Sequence, residues 1–363
     1  MSDSQNSVDA AIAAFARGEI VVVTDDDDRE NEGDLFVAAS LCTPEKMAFI
    51  IRHTSGIVCA PVSAADAKRL HLDPMVGAND APLGTAFTVS VDGRHGLSTG
   101  ISAEERTNTV RALANGNSGA TDFVRPGHVF PLIAREGGVL MRSGHTEACI
   151  DLARLAGLPP AGVLSELMND DGTVMRGPAV ADFAGKHKLQ LLSIADLIAY
   201  RQAREKLVTR VGEFPVTSEI GTLQGYAYVT PFDQVHHMAF VYGAIGDGIN
   251  VSARLHRADI VRDLFEGGKT IRASLAHFKR EGRGVIVLLR DGTAGVPIQA
   301  IPRPGDSSSE EARVRLWREV GLGAQILKDL GISSIRLLAS ARFTYVGLAG
   351  FGIEIVGTEI LEG

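Results

Sequence analysis

The stretch Ile20-Val21-Val22-Val23-Thr24-Asp25-Asp26-Asp27-Asp28-Arg29-Glu30-Asn31-Glu32-Gly33-Asp34 decides the first part of the fold. Its apolar start predicts a buried strand. Seven of the ten residues from Asp25 to Asp34 are acidic, and crowded carboxylates repel one another unless solvent, a metal or a cation compensates them. Gly33 permits a tight turn before a second apolar run. The pattern predicts a strand, a loop and a strand, with the loop either a Mg²⁺ site or a solvated acidic turn.

Length and composition limit the classes of protein that this chain can belong to. With 363 residues, 45% of them apolar and 22% charged, it is long enough for two globular domains. The net charge of −8 and the lack of a basic block argue against a nucleic-acid-binding protein. No apolar span reaches twenty residues and the start is polar, so we expect a cytoplasmic protein without a membrane segment.

The three cysteines, Cys42, Cys59 and Cys149, are scattered along the first half of the chain. Their odd number and spacing indicate reduced thiols and match no zinc-binding pattern. For Cys59 two interpretations stay open, a small buried core residue or a polarisable group of an active site.

Periodicity predicts an α/β chain. The predicted helices cover 8–17, 44–53, 102–114, 147–156, most of 183–204, 260–265 and 319–330. The predicted strands are 56–61, 85–91, 189–193, 227–230, 237–242, 285–289, 335–338 and 353–356. Ser102 and Glu105 form a capping-box pattern. Low apolar density between 202 and 214 marks the domain boundary, which gives domains 1–205 and 213–363. The second domain has a βαβ-like order.

The motif Arg142-Ser143-Gly144-His145-Thr146-Glu147 precedes a predicted helix. Helix N-terminal amides, a hydroxyl and an arginine together suit an anion such as a phosphate. His145 could ligate a metal through a ring nitrogen. A surface or capping histidine is the alternative.

Two further residues are candidates for proton transfer. His128 lies in Arg125-Pro126-Gly127-His128-Val129-Phe130-Pro131, where the prolines and glycine restrict the backbone, as suits a positioned acid or base; an incidental histidine in a rigid turn is equally compatible. Glu166 lies within the apolar run 161–168, where burial would raise its pKa and make it competent for proton transfer.

Several motifs in order resemble the 3,4-dihydroxy-2-butanone 4-phosphate synthase family from about Val8 to Arg201. They are Asp28–Asp34, Arg52–Cys59, Arg125–Leu132, Gly144–Ala148 and Glu166–Gly172. The resemblance implies an α+β synthase domain with a mixed sheet and flanking helices. It also implies a lyase of riboflavin biosynthesis that converts D-ribulose 5-phosphate into 3,4-dihydroxy-2-butanone 4-phosphate and formate.

The resemblance further implies roles for individual residues. Glu30 and His145 are the expected ligands of Mg²⁺ (or Mn²⁺), with no organic cofactor, and His128 and Glu166 are the expected catalytic residues. The expected substrate contacts are Arg29, Glu30, Asp34, Arg142, Ser143, Gly144, His145, Thr146 and Glu166. The family is dimeric, so a homodimer is expected.

Residues from about 213 to 360 resemble a smaller α/β domain, GTP cyclohydrolase II, in the segments Arg254–His256, Glu281–Gly284 and Gly321–Leu327. That family holds zinc with three cysteines, but no cysteine follows Cys149 in this chain, and Asp259 stands where the first would be. We therefore expect no zinc and an inactive domain.

Three alternatives for this domain stay open. The chain is a bifunctional enzyme with residual cyclohydrolase activity, the domain is a regulatory or interaction module, or Asp259, His256 and His236 form a substitute zinc site.

Overall fold

The computed structural model describes residues 3–25, 31–81, 84–231, 233–265, 267–290, 321–339 and 353–361. Within these residues the chain forms two compact units, which meet in sequence between Tyr200 and Arg201. The sequence-predicted boundary, between 205 and 213, lies a few residues further on. In the described ranges, no helix has both the length and the apolar character needed to cross a membrane.

The first unit combines short strands with helices in the order of the chain. Its helices and strands are α1 (Asp3–Ala16), β1 (Val21–Thr24), β2 (Gly33–Ala38), α2 (Pro44–His53), β3 (Cys59–Val62), α3 (Ala64–Arg69), β4 (Val91–Gly93), α4 (Ala103–Ala114), β5 (Phe123–Ile133), α5 (His145–Leu155), β6 (Gly162–Glu166), α6 (Pro178–His187), β7 (Gln190–Ser193) and α7 (Ile194–Arg204), the last of which runs across the unit boundary.

The strands of the first unit form one mixed sheet in the order β4-β5-β3-β6-β2-β1-β7. β1 pairs antiparallel with β2 and parallel with β7, and β6 lies between β2 and β3. Both faces of the central strands are covered, so β2 is buried along its whole length. The core packs apolar strand residues against helices α2, α4 and α6 through Leu35, Val37, Met47, Ile50, Val110, Val163 and Val180. The mixed sheet with flanking helices confirms the predicted α/β class.

The strand predicted at 85–91 is wrong over most of its length. β4 begins only at Val91, and Phe87 and Thr88 form isolated bridges to different segments. The backbone N–H of Thr88 donates to Pro131, whereas that of Val89 donates to Asp73. The alternating side chains resemble those of a strand, but the segment crosses between two neighbours and forms no continuous ladder.

Local capping signals decide where two helices begin. Ser102 accepts a hydrogen bond from the Glu105 N–H, and the Glu105 side chain returns to Ser102, so the predicted capping box is confirmed. α5 starts at His145 and not at Glu147 as predicted, because Gly144 takes the N-cap position without a side-chain signal.

The second unit consists of β8 (Thr209–Ser218), β9 (Gly221–Thr230), β10 (Asp233–Tyr242), β11 (Val251–Arg257), α8 (Ile260–Leu264), α9 (Lys269–Glu281), β12 (Gly284–Leu289), a helix over 321–329, β13 (Ser334–Ala339) and β14 (Glu354–Ile360). Its mixed sheet has the order β14-β13-β11-β12-β10-β9-β8. The pairs β11/β12, β11/β13 and β13/β14 are parallel, as the predicted βαβ-like order requires.

Strand β8 occupies residues whose low apolar density led us to predict a domain boundary. It pairs with β9 at the edge of the sheet, and its residues alternate between exposed and partly buried. An edge strand with one solvated face needs few apolar side chains, which is why composition did not reveal it.

Candidate active site

The acidic stretch connects β1 and β2 as a hairpin. Thr24 pairs with Gly33 and Val23 with Asp34, and the Asp25 side chain accepts a hydrogen bond of 2.8 Å from the Glu32 N–H. The predicted site residues Arg29 and Glu30 lie outside the described residues. The two strands predicted on either side of that gap are confirmed.

Asp34 and Glu166 lie directly opposite each other on the antiparallel strands β2 and β6. Paired residues of neighbouring strands point to the same face of a sheet, so the two carboxylates share one face. His145 joins them from the first turn of α5, with its Nε2 4.0 Å from Asp34 Oδ1. Asp34 therefore lies opposite one of these residues and close to the other, although all three are far apart in sequence.

Burial and packing fix the orientation of His145. Its side chain is 9% exposed and that of Asp34 is 3% exposed. The ring meets Phe36 edge-on, with the ring centroids 6.0 Å apart. Because water is largely excluded here, charges on these side chains interact more strongly than they would at the surface.

Glu166 is less buried than the sequence indicated. As the last residue of β6 it is only partly buried, and the Ser55 hydroxyl donates to its Oε2 at 2.8 Å. The Ser55 backbone N–H also donates to the Glu166 carbonyl. The apolar run 161–168 therefore does not bury Glu166 completely, because the residue lies at the end of β6, and Ser55 fixes its orientation there.

The predicted anion motif folds around a buried ion pair. Arg142 Nη1 donates to Glu147 Oε2 at 2.7 Å, and both side chains are almost fully buried. Arg142 Nη2 also donates to the Thr85 hydroxyl at 3.3 Å. A Cβ on Gly144 would lie 2.3 Å from Arg142 Nη1, so a side chain at this helix N-cap would displace the guanidinium. The chain thus fixes Arg142 beside the N-terminal amides of α5.

The neighbouring residues Ser143 and Thr146 are both buried at this helix start. The Ser143 hydroxyl has no hydrogen-bond partner among the described residues. Together with Arg142 and the first amides of α5 they make a donor-rich corner that suits a phosphate.

His128 lies in β5 and is held by Asp92 of β4. Its backbone N–H donates to Asp92 Oδ1 at 2.8 Å, and its ring Nδ1 lies 2.7 Å from Asp92 Oδ2. Asp92 is 4% exposed, whereas the His128 side chain is 40% exposed. Asp92 therefore fixes the orientation of the ring on its buried side. The other side of the ring stays accessible, as a proton-transfer group requires.

Cys59 is buried at the start of β3. Burial raises the pKa of its thiol, and the negative charges of Glu166 and Asp34 raise it further. The thiol therefore stays protonated beside the carboxylates, which agrees with the interpretation as a core residue.

The described residues supply some of the ligands that a hard divalent cation needs. Asp34, Glu166 and His145 offer carboxylate oxygens and an imidazole nitrogen, a donor set that suits Mg²⁺ or Mn²⁺. Across the described ranges, no three His, Cys, Asp or Glu side chains lie close enough to hold a metal ion by themselves. The remaining metal ligands would be Glu30, which lies outside the described residues, and oxygen atoms of a substrate.

The sequence alone did not reveal the residues that orient the predicted site residues. Asp92, Ser55 and Glu147 orient His128, Glu166 and Arg142. Glu147 is the one with a local signal, since it lies in the same motif as Arg142 and an acidic residue so close to an arginine is a candidate ion-pair partner. Asp92 and Ser55 lie far from their partners in sequence and carried no local signal.

In the second unit the candidate zinc residues have other partners. His256 Nε2 lies 2.9 Å from Asp263 Oδ1, and the other oxygen of Asp263 accepts from the Asp259 N–H at 3.0 Å. Burial lowers the pKa of His256, and Asp263 opposes that shift. His236 is exposed on β10. The described residues therefore show a His–Asp pair in place of the proposed substitute zinc site.

Fold and site together define a two-domain α/β enzyme whose first unit combines paired carboxylates, histidines and an anion-binding corner. Residues 9–200 match the family described as 3,4-dihydroxy-2-butanone 4-phosphate synthase, and residues 209–359 match GTP cyclohydrolase II. The chain therefore belongs to the 3,4-dihydroxy-2-butanone 4-phosphate synthase family of lyases, with this domain fused to a GTP cyclohydrolase II domain.

Two relatives from Arabidopsis thaliana align with nearly the whole chain. The monofunctional riboflavin biosynthesis protein RIBA 2, chloroplastic, is 44% identical over 366 residues, which cover 98% of this chain and 77% of the relative. The bifunctional riboflavin biosynthesis protein RIBA 1, chloroplastic, is 44% identical over 371 residues, which cover 97% of this chain and 68% of the relative.

Two solved structures are similar. RibBX, a two domain 3,4-dihydroxy-2-butanone 4-phosphate synthase from A. baumannii, has a TM-score of 0.81 at 36% identity over 96% of this chain and 99% of that chain. A 3,4-dihydroxy-2-butanone 4-phosphate synthase in complex with two magnesium ions has a TM-score of 0.54 at 44% identity over 54% of this chain and 97% of that chain.

Proposed function

We propose that this chain converts D-ribulose 5-phosphate into 3,4-dihydroxy-2-butanone 4-phosphate and formate, with Mg²⁺ or Mn²⁺ as the metal. The observation that carries the proposal is the position of Asp34, opposite Glu166 on the sheet and 4.0 Å from His145. The synthase that is similar to the first unit was solved with two magnesium ions, which supports the same class of metal here.

The metal would be held by His145 and Glu30, with Asp34 close to His145. When bound, Mg²⁺ would polarise the sugar carbonyl and acidify the neighbouring C–H bond. The protein groups then do the proton transfers. Glu166, oriented by Ser55, and His128, oriented by Asp92, are the groups placed to take a proton from C3 and to return protons as the skeleton rearranges.

The phosphate end of the substrate would bind at the start of α5. Arg142 offers a fixed positive charge there, and the N-terminal amides of the helix with Ser143 and Thr146 offer hydrogen-bond donors. Arg29 is the further cationic contact that the family resemblance implies. Binding the phosphate at a site distinct from the carboxylates orients the carbon chain toward them.

Glu166→Gln tests the proton-transfer role. Glutamine keeps the shape and the contact with Ser55 but cannot take a proton, so formate release should fall by at least about 10²-fold. Glu104→Gln, on the exposed side of α4, is the matched control and should keep full activity. Equal activity of both variants would remove Glu166 from the mechanism.

For the second unit we propose that cyclohydrolase activity is absent. Zinc in that family is held by thiolates, and this sequence has no cysteine after Cys149. The alternative, a bifunctional enzyme, is supported by the name of the RIBA 1 relative, whereas the name of the RIBA 2 relative, monofunctional, supports the first interpretation. A regulatory or interaction module is the third candidate.

Incubation of the full chain with GTP and Zn²⁺, with formate followed by NMR, separates these candidates. No formate from GTP is the result expected for an inactive second unit. Formate from GTP would establish the bifunctional enzyme and would require zinc ligands other than cysteine.

We also propose a homodimer. Large apolar side chains are exposed near the site loops, including Ile57 beside Ser55 and Ile101 beside Gly100, and a second copy would cover such surface. Light scattering coupled to size-exclusion chromatography tests this, and a mass of one chain would contradict it. A cytoplasmic location stays a prediction, to be tested by cell fractionation.

A further inference from the structure

Asp151 is a buried carboxylate of α5 that the proposed mechanism does not use. Its residue is 1% exposed, and its Oδ2 accepts a hydrogen bond of 2.8 Å from the backbone N–H of Val139. Val139 lies in the short helical turn Gly138–Leu140, whose residues are all buried. Burial of a carboxylate is costly unless hydrogen bonds compensate it, and here the compensating bond ties α5 to the loop that precedes it.

The carboxylate of Asp151 also packs directly against Gly138. A Cβ at Gly138 would lie 2.0 Å from Asp151 Oδ1 and 2.4 Å from its Cγ. The φ of Gly138 is +62°, a conformation that glycine adopts without strain. The close approach of the turn to α5 therefore depends on the glycine on one side and on the carboxylate on the other.

A second carboxylate on the same face of the helix holds the two ends of this loop. Glu147 lies four residues before Asp151, which is one helix turn away on the same face of α5. Its Oε1 accepts a hydrogen bond of 3.1 Å from the Arg135 N–H, and its Oε2 accepts one from Arg142. Together the two carboxylates bind the loop 135–142 to α5 at its beginning, middle and end.

The backbone of Arg142 depends on the turn that Asp151 holds. Its N–H donates to the Gly138 carbonyl at 3.1 Å, so its position follows that of the turn. The guanidinium is fixed separately, by Glu147 and Thr85. Asp151 therefore acts on the backbone of Arg142, whereas Glu147 acts on its side chain.

The helix that carries both carboxylates also supplies the N-terminal amides of the phosphate corner. A phosphate can bind Arg142 and these amides together only if the loop and the helix keep one fixed arrangement. Groups that are ordered before a ligand binds need no further ordering when it arrives, and this raises the affinity. The contacts between loop and helix are therefore of direct use for binding.

We propose that Asp151 is a positioning residue for phosphate binding, which holds the loop 135–142 on α5 so that Arg142 is in place before the substrate arrives. The proposal rests on the function proposed above, because it takes the corner to be the site of the substrate's phosphate group. Asp151 acts through Val139 and Gly138 and touches no substrate atom.

Loss of this carboxylate should weaken binding more than turnover. In Asp151→Ala the Val139 N–H is buried without its acceptor, so the turn adopts displaced conformations. The apparent Kd rises in inverse proportion to the fraction of molecules that keep the binding arrangement. We expect the Kd for inorganic phosphate and the KM for D-ribulose 5-phosphate to rise about tenfold, and kcat to stay within about twofold.

The experiment compares Asp151→Ala, Asp151→Asn and Asp122→Ala in the full chain, with Kd from calorimetry and KM and kcat from formate release. Asparagine keeps an oxygen acceptor for Val139 and should keep Kd and KM within about threefold of the wild type. Asp122 accepts the Gly119 N–H at 2.7 Å in a different loop, so Asp122→Ala removes the same kind of contact and should change neither constant. A merely structural role of Asp151 would lower the amount of folded protein and leave Kd and KM of the folded molecules unchanged.

A folded Asp151→Ala protein with the wild-type Kd and KM would overturn the proposal. Equal losses in the alanine and asparagine variants would also overturn it, since the hydrogen bond to Val139 would then have no effect on binding.

If the alanine variant does not fold, hydrogen exchange in the unmodified protein decides. The Val139 amide exchanges when the turn leaves Asp151, and a phosphate that binds only the closed arrangement makes this opening rarer. At a phosphate concentration of ten times Kd, the Val139 amide should exchange about tenfold more slowly, whereas the Gly119 amide should not change. An unchanged rate at Val139 would overturn the proposal.

The phosphate experiments do not depend on turnover. The expected phosphate results without formate from the wild-type chain would contradict the proposed reaction and support the role of Asp151. A wild-type chain that binds no phosphate would overturn the phosphate corner, and the role of Asp151 with it.

Discussion

Asp92 binds His128 twice, through the backbone N–H at 2.8 Å and through ring Nδ1 at 2.7 Å. A carboxylate accepts and does not donate, so Nδ1 carries a proton and Nε2 is left for chemistry. Removing one of these contacts should misalign the ring or change its tautomer.

We therefore predict that Asp92→Asn lowers kcat about 10²-fold or more, since an amide can donate to Nδ1 and favour the other tautomer. The chain offers a matched control in His95 and Asp122, a second His–Asp pair at 3.0 Å in which the histidine is 82% exposed. Asp122→Asn should keep the wild-type kcat for formate release. Equal losses in the two variants would contradict a specific role of Asp92.

Glu147 should set the affinity for phosphate through Arg142. In Glu147→Gln the guanidinium loses its buried ion-pair partner, so the KM for D-ribulose 5-phosphate should rise about tenfold with a smaller change in kcat. Calorimetry with inorganic phosphate measures the same loss without turnover. Glu19→Gln removes the partner of Arg17 in an exposed ion pair and should leave both constants unchanged. An unchanged KM in Glu147→Gln would remove Arg142 from the phosphate site.

Gly100 should tolerate no side chain, because of space as well as backbone conformation. Its φ is +87°, and a Cβ would collide with Asp92 and His128, whereas Gly96 with φ +73° faces open space. In both alanine variants the free energy of unfolding should fall by about 1 kcal/mol, because a residue with a side chain is strained in a left-handed backbone conformation. Gly100→Ala alone should also lose most of its activity. Denaturant unfolding and formate release measure the two effects, and equal activity in both variants would contradict the collision.

His237 makes the stability of the second unit depend on pH. Burial first, and then the charges of Arg290 and His236, lower its pKa to about 4. The unfolded chain takes up the proton near the ordinary value of about 6.5. The depressed pKa therefore contributes stability above pH 6.5, and that stability is lost as the pH falls from 6.5 toward 4.

The pH dependence should disappear in His237→Asn and remain in His236→Asn, where the exposed neighbour is changed. Between pH 7 and pH 4.5 the free energy of unfolding should fall by about 2–3 kcal/mol more in the wild type than in His237→Asn. Urea unfolding followed by far-UV circular dichroism measures it. Identical pH dependence in the wild type and His237→Asn would contradict the assignment.

Local patterns in the sequence predicted those features that depend on neighbours along the chain. The capping box of Ser102 and Glu105 is confirmed, and so are the strands on either side of the acidic loop. The start of α5 was predicted two residues too late, because Gly144 caps it without a side chain. Each of these features depends on residues that are close to one another both in sequence and in space.

Features that depend on strand order could not be predicted from periodicity. β6 lies between β2 and β3 although it follows both by about a hundred residues, and this position alone brings Glu166 opposite Asp34. The partial exposure of Glu166 and the contacts of Asp92 also depend on the order of the strands in the sheet. Family resemblance supplied the residues Asp34, His145 and Glu166 as a set, and their arrangement came only from the fold.

The most direct test of the central claim follows the fate of one carbon atom. D-Ribulose 5-phosphate labelled with ¹³C at C4 is incubated with the full chain and Mg²⁺, and the label is followed by NMR. The label should appear in formate, and the remaining four-carbon phosphate should be unlabelled. A label that stays in a sugar phosphate, or is released in any product other than formate, would contradict the proposed synthase reaction.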